Sequence, residues 1–210
     1  MTLPPLPHTG DDAAHDPGGR SIVDVLTEEH ERITALCREL AGGTVSSTGA
    51  PHRRRDLVEV LTATLSRHLS AEEQYLYPSV RAALGDGDQL AEREVAADVE
   101  LLTALRVLEG AADDDPRFAE LTGAVTAGLD RHVRAADGTL FPRLREVSTM
   151  EDLIRLGNRV EIAEEAAPTR PHPGAPHTPP WNKVVEPALG VVDKVRDAAG
   201  GRTTYPEDLT

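Results

Sequence analysis

The 210-residue sequence holds one cysteine, Cys37, one tryptophan, Trp181, and only 3% aromatic residues. A single thiol closes no intramolecular disulfide, and a four-cysteine zinc site is excluded with it. A lone thiol fits a reducing compartment, so the expected location is the cytoplasm. So few rings leave no stacking platform for single strands or sugars. Basic residues are outnumbered, 22 Lys+Arg against 36 Asp+Glu, for a net charge of −14. Phosphate backbones and anionic lipid surfaces both repel such a chain, so neither nucleic acid nor membrane is expected as a partner. No run approaches the ~18 apolar residues of a membrane span. The opening MTLPPLPHTGDDAAHDPGG has neither the basic start nor the apolar stretch of a signal peptide. Also missing are Gly-x-Ser-x-Gly, a Gly-rich phosphate loop and Gly-x-Gly-x-x-Gly, so nothing points to nucleophilic catalysis or nucleotide binding.

What the chain does have is helical periodicity. Residues 1–20, rich in Pro, Gly and Asp, read as a disordered leader. From Ser21, which with Asp24 resembles a short-armed capping box, Ile22, Val25, Leu26, Ile33, Leu36, Cys37 and Leu40 recur at three and four. Gly42-Gly43 stops this helix. A second helix runs from near Pro51 to Leu84, a third carries Leu90 to Leu108, and a fourth carries Phe118 to Val147. No window alternates as a strand. The expected fold is therefore all-α: an antiparallel up-down four-helix bundle over 21–147, with a short additional helix over 148–167 opened by Thr149 or Met150. Residues 168–210 read as a Pro-rich extended linker followed by a short helix. The valines and leucine of that helix (Val184, Val185, Leu189, Val192, Val195) need a surface to pack on, and Trp181 reads as its anchor.

An internal repeat sets the candidate site. The second helix reads His68-Leu-Ser-Ala-Glu72-Glu73-Gln-Tyr-Leu-Tyr-Pro78, and the fourth reads His132-Val-Arg-Ala-Ala136-Asp137-Gly-Thr-Leu-Phe-Pro142. The preceding helices also align, Glu28-Glu29-His30 with Glu94-Val95-Ala96, so two helix pairs face each other. His68 and Glu72 share a helix face. His30 lies near Leu26 and Ile33, and His132 beside Leu129 and Val133, so three of the eight histidines lie near core faces. Imidazoles and carboxylates projecting inward from bundle helices suit iron, zinc or manganese. A lone histidine at a core edge more often only hydrogen-bonds to its neighbours; three in register put the ligand reading ahead. Glu73 reads as solvent-facing and Tyr77 as packing. Asp137 lies ~140° off the histidine face on an ideal helix and reaches the centre only through a local loosening such as a π-bulge.

These motifs resemble the hemerythrin-like, or HHE cation-binding, family over about Ile22 to Arg145. The tail resembles that of actinobacterial members. The resemblance implies a four-helix bundle with non-heme iron held by histidines and carboxylates, and roles in O2 binding, iron or redox sensing, or nitric-oxide and peroxide chemistry. It carries over to His30, His68, Glu72 and His132, with Asp137 as a further carboxylate ligand. Ala96 stands where the third helix of the family has histidine, and Ala136 stands opposite Glu72; Glu92 is a substitute carboxylate one turn before Ala96. The expected function is iron or oxygen/redox handling at a mononuclear or di-iron site, with a metal-free interaction or stress-response bundle as the alternative. An enzyme-like half-site that decomposes peroxide is a third reading.

Overall fold

The apolar stripes of three and four become helix throughout. The computed structural model describes residues 18–42, 50–112, 114–174 and 182–209. Its helices are α1 (Ile22–Gly42), α2 (Ala50–Ala71), α3 (Tyr77–Ala83), α4 (Gly87–Glu109), α5 (Phe118–Ala135), α6 (Phe141–Val147), α7 (Met150–Ala166) and α8 (Asn182–Gly200). Two π-helical turns, Glu72–Leu76 and Ala136–Leu140, join α2 to α3 and α5 to α6. The four rods α1, α2–α3, α4 and α5–α6 form the expected bundle, and α1 and α4 each pack against both α2 and α5. No strand occurs among the described residues. Nor is any helix among them long and apolar enough to cross a membrane.

The π turns have a local cause. Pro78 and Pro142 sit in the first turns of α3 and α6. A proline inside a helix lacks its N–H and its ring clashes with the carbonyl four residues back. The chain widens by one residue just ahead of each proline, with the Tyr77 N–H donating to Glu72 O and the Phe141 N–H to Ala136 O. The helix then continues beyond the proline instead of breaking.

Helix starts follow the sequence signals. The Asp24 N–H donates to Ser21 Oγ at 3.2 Å and the hydroxyl donates back to the Asp24 carboxylate at 2.6 Å. Thr149 and Asp152 repeat this arrangement at α7. Such caps are each worth roughly 1 kcal/mol.

The core divides into two apolar layers. One contains Ile22, Leu26, Leu76, Val80, Leu140, Phe141 and Leu144. The other contains Ile33, Leu61, Leu65, Leu101, Leu105, Val125 and Leu129. Between them lies a belt of buried polar residues that includes His30, His68, Glu72, Asp98 and His132.

α7 lies across α1 and α2. Gly157 allows this approach, since a Cβ there would stand 2.2 Å from Arg20 O. Residues 18–20, expected in the disordered leader, are instead seated on α7, with Asn158 Nδ2 donating to Gly18 O and Arg20 paired with Glu161. The tail also departs from its expected packing. Val192 is 46% exposed, whereas Asp193 and Asp197 on α8 are buried. Gly190, whose Cβ would stand 2.1 Å from Ala166 O, brings α8 onto the end of α7. Asp193 accepts from the Arg170 N–H at 3.2 Å and lies 2.9 Å from His172, and Asp197 pairs with Arg170 at 2.8 Å and Arg202 at 3.2 Å. The described start of the linker is packed as well, with Ala167 and Thr169 buried. The readings made for residues 1–17, for most of the 44–50 loop, for Trp181 and for the side chains of Val184, Val185 and Val195 fall outside what is described.

Candidate metal centre

His30 from α1, His68 from α2 and His132 from α5 converge in the polar belt with Glu72 from the first π turn. One ligand atom from each lies within 4.8 Å of all the others, and all four residues are buried. His132 Nε2 is 3.2 Å from His30 Nε2, 3.3 Å from His68 Nε2 and 3.2 Å from Glu72 Oε2. The other carboxylate oxygen, Glu72 Oε1, is 3.6 Å from His68 Nε2 and 3.9 Å from His30 Nε2. Four donors on a single ion with bonds of 2.0–2.1 Å stand about 3.3 Å apart when tetrahedral, so this spacing fits one ion.

Two of the imidazoles are oriented from behind by carboxylates. His68 Nδ1 lies 2.8 Å from Glu29 Oε2, and His132 Nδ1 lies 2.9 Å from Asp98 Oδ1. A carboxylate at Nδ1 fixes a proton there and turns the Nε2 lone pair inward, as around bound metals. The Tyr77 hydroxyl, also buried, is 2.5 Å from Asp98 Oδ2 and 3.2 Å from Glu72 Oε2, linking the two carboxylates. The ring of Phe141 stacks on His30, centroids 5.8 Å apart.

The electrostatics follow from burial. Burial, and then the charge on His68 and His132, lowers the pKa of His30 far below the ordinary histidine range. Burial, followed by the charge on His132, brings His68 down to about 3. Burial pulls His132 down too, but Glu72 and Asp98 beside it prevail and raise it to about 9. Glu72 is pushed up to about 8 by burial, against the pull of His132. Without a cation, the centre therefore keeps its proton on His132, beside Glu72. One Nε2–H cannot serve His30, His68 and Glu72 at once. Glu72 Oε1 indeed has no hydrogen-bond partner. A cation at the convergence would serve the inward nitrogens and the orphaned Glu72 oxygen together, so the donor set fits a metal.

The structure does not bring the rest of the sequence-derived set here. Asp137 is exposed. A π turn of the kind Asp137 would need is present, but it turns Ala136 inward, 1% exposed. Glu92 and Ala96 are both exposed, so neither stands in the position of a third-helix ligand. On α4 the inward residues are Glu94 and Asp98, two positions away from the sequence alignment. Glu73, expected in solvent, is 4% exposed because α7 covers the first π turn. Sequence reasoning missed Glu29, Asp98 and the role of Tyr77. The available signal was phase, for Glu94 and Asp98 keep the three-and-four spacing of Leu90, Leu101 and Leu105.

The sequence matches the family model of the Hemerythrin HHE cation binding domain over residues 21–144. The chain belongs to the hemerythrin HHE cation-binding family. It is 22% identical over 177 residues to an uncharacterized hemerythrin-like protein of Schizosaccharomyces pombe, covering 84% of this chain and 85% of that one. It is 26% identical over 125 residues to a DNA nickase of Nostoc sp., covering 60% of this chain but 34% of the nickase, so the match spans about a third of that protein. In fold it is similar to the crystal structure of a hemerythrin HHE cation binding domain-containing protein from Mycobacterium kansasii, with a TM-score of 0.58, 24% identity, and coverage of 69% of this chain and 85% of that one. In this hemerythrin HHE chain the buried histidine–glutamate cluster lies inside the matched segment, while α7, α8 and the C-terminal segment lie beyond it.

Proposed function

We propose that this protein binds one iron ion at His30, His68, His132 and Glu72 and acts in iron or oxygen/redox handling. The observation that carries the reading is the convergence of three Nε2 atoms with a buried carboxylate oxygen that has no other partner. Three imidazoles with one carboxylate suit iron, and Glu72, Asp98 and Glu29 set negative charge around the position, which favours a higher oxidation state. An iron ion there would supply a redox couple and open positions for O2 or another small diatomic ligand.

The protein's own groups have separable tasks. Glu29 and Asp98 hold the tautomers of His68 and His132. Tyr77 ties Glu72 to Asp98 and so fixes the carboxylate's direction. The leucine layers above and below exclude water, which strengthens each of these contacts. The alternative, a metal-free bundle serving as an interaction or stress-response module, is favoured by Ala96 and Ala136, which leave the second half of the repeat with fewer donors than the first. Anaerobic addition of Fe(II) followed by air separates the two readings. The proposal expects new absorption bands after air in the wild-type protein and none in His68→Ala; identical spectra in both would leave the bundle as a scaffold.

A further inference from the structure

The imidazole of His132 is backed by two groups in series. Asp98 lies at its Nδ1, and the Tyr77 hydroxyl donates to Asp98 in turn. His68 has the same first support, with Glu29 Oε2 at 2.8 Å from Nδ1. The group behind Glu29 comes from α7. Leu153, Gly157, Val160 and Ala163 are the buried residues of that helix, and Glu164, four after Val160, continues their stripe. α7 lies across α1 and α2, which carry Glu29 and His68. Glu164, Glu29 and His68 each bring one ligand atom within 4.8 Å of the others. The Glu29 and Glu164 carboxyl groups hydrogen-bond each other. Of the neighbouring acids on α7, Glu161 is paired with Arg20 at 2.7 Å and Glu165 is exposed.

Two carboxyl groups hydrogen-bond only if one keeps its proton, because an ionised carboxylate accepts and never donates. Glu29 already faces His68 Nδ1 as an acceptor, so the proton belongs to Glu164. Burial and the bond to Glu29 act the same way, raising Glu164 to about 10. The bond from Glu164 in turn opposes the burial that pushes Glu29 up. Glu164 therefore stands to Glu29 as Tyr77 stands to Asp98. In each series a neutral O–H holds a buried carboxylate, and the carboxylate holds the Nδ1 proton of an inward imidazole. A carboxylate stabilised by a second donor is less able to draw that proton off the ring.

We propose that Glu164 is a positioning residue for the buried centre: from α7 it donates to Glu29 and so locks His68 in its Nδ1–H tautomer, with Nε2 aimed at the ion. The effect on metal rests on the reading of His68 as a ligand. The series behind His132 stays within the family-matched residues 21–144, whereas Glu164 lies beyond them. This chain thus ties one ligand of its centre to a helix outside the matched segment.

The test separates a donor from a charge or a filler. In Glu164→Gln the amide N–H takes the place of the O–H. Glu164→Leu and Glu164→Ala remove the donor with and without its bulk. Each full-length variant is titrated with Co(II) and followed by visible absorption. The cation-free proteins, carrying isotope-labelled histidine, report the ring tautomers by NMR, with His68→Ala identifying the His68 signals. Glu164→Gln should keep the wild-type affinity and the Nδ1–H form of His68. Glu164→Leu and Glu164→Ala should bind about tenfold more weakly, the lower end of what losing an outer partner costs. Their metal-to-chain ratio should stay that of the wild type, and His68 should show a mixture of tautomers. Glu165→Leu, at the exposed neighbour, should change neither measure. Wild-type affinity and tautomer in Glu164→Leu and Glu164→Ala would overturn the proposal, as would a Glu164→Gln protein as impaired as those two. No Co(II) absorption in the wild type would remove the metal reading, and the tautomers would still decide. A mixture in Glu164→Leu and Glu164→Ala but not in Glu164→Gln would uphold Glu164 as the support of His68, and an unchanged Nδ1–H form would overturn it.

Discussion

The two halves of this bundle share a frame and differ in their chemistry. His68, Glu72 and Tyr77 in the first half correspond, each 64 positions on, to His132, Ala136 and Phe141 in the second. Both halves keep the inward histidine, the π turn and the proline after it. The first half adds a carboxylate and a phenol that reach the centre; the second offers a methyl group and an apolar ring. On the leading helices α1 contributes His30, whereas α4 contributes Asp98, which supports His132 from behind. Glu73 and Asp137 correspond as well, yet one is buried and the other exposed; α7 and α8 both pack against the first π turn. Backbone geometry and donor chemistry are separable: the second half retains the shape that would hold a ligand set without holding one. Donors enough for a single ion remain, gathered toward the first half.

Breaking the first half has the largest expected effect. His68→Ala or Glu72→Ala should abolish retention of Fe(II) through desalting, measured as metal content per chain. Restoring the missing acid in the second half, Ala136→Glu, places a carboxylate at a position only 1% exposed. Without metal it should cost about 3 kcal/mol in urea unfolding, the scale of an uncompensated buried charge. Removing the support of His132 is milder. Asp98→Asn should weaken metal affinity about 10–100-fold without changing the metal-to-chain ratio, as seen by titration calorimetry.

Protons compete for the same atoms. In the cation-free centre the Glu72 and Asp98 carboxylates raise His132 to about 9, so the His132–Glu72 pair holds a proton at pH 7. Metal binding must displace that proton, and less of it remains to be displaced as pH rises, so affinity should climb between pH 6 and 9. The gain is up to about tenfold per pH unit. An indicator dye in weakly buffered solution should report proton release at pH 7; a flat affinity with no release would contradict the charge assignment. Asp137→Asn should change least, with metal affinity unaltered and stability within about 0.5 kcal/mol, as for other exposed positions.

Much of the frame was legible in the sequence. Leucine spacing gave the rods, Ser21 and Thr149 their starts, and the repeated Leu-aromatic-Pro the pairing of the two halves, though not the π turns ahead of each proline. His30, His68, Glu72 and His132 were legible because three lie close to apolar residues and Glu72 repeats the face of His68. Asp98 was not, because an acid read alone looks like solvent-facing charge; only its phase with Leu101 and Leu105 marks it as inward. Asp137 was placed by spacing, but a π turn sets which residue faces inward only together with what packs around it. The tail was misread for a related reason. Periodicity weighs valines, and the inner face of α8 carries Asp193 and Asp197, which both meet Arg170, more than twenty residues away in sequence.

The most direct test of a one-ion centre is the metal-to-chain ratio at saturation, after anaerobic Fe(II) loading and removal of loosely held ion. One iron per chain, lost in His68→Ala, is the predicted result. Two per chain would mean that the second half supplies ligands after all, and none above the His68→Ala background would mean that the converged histidines hold only their own proton.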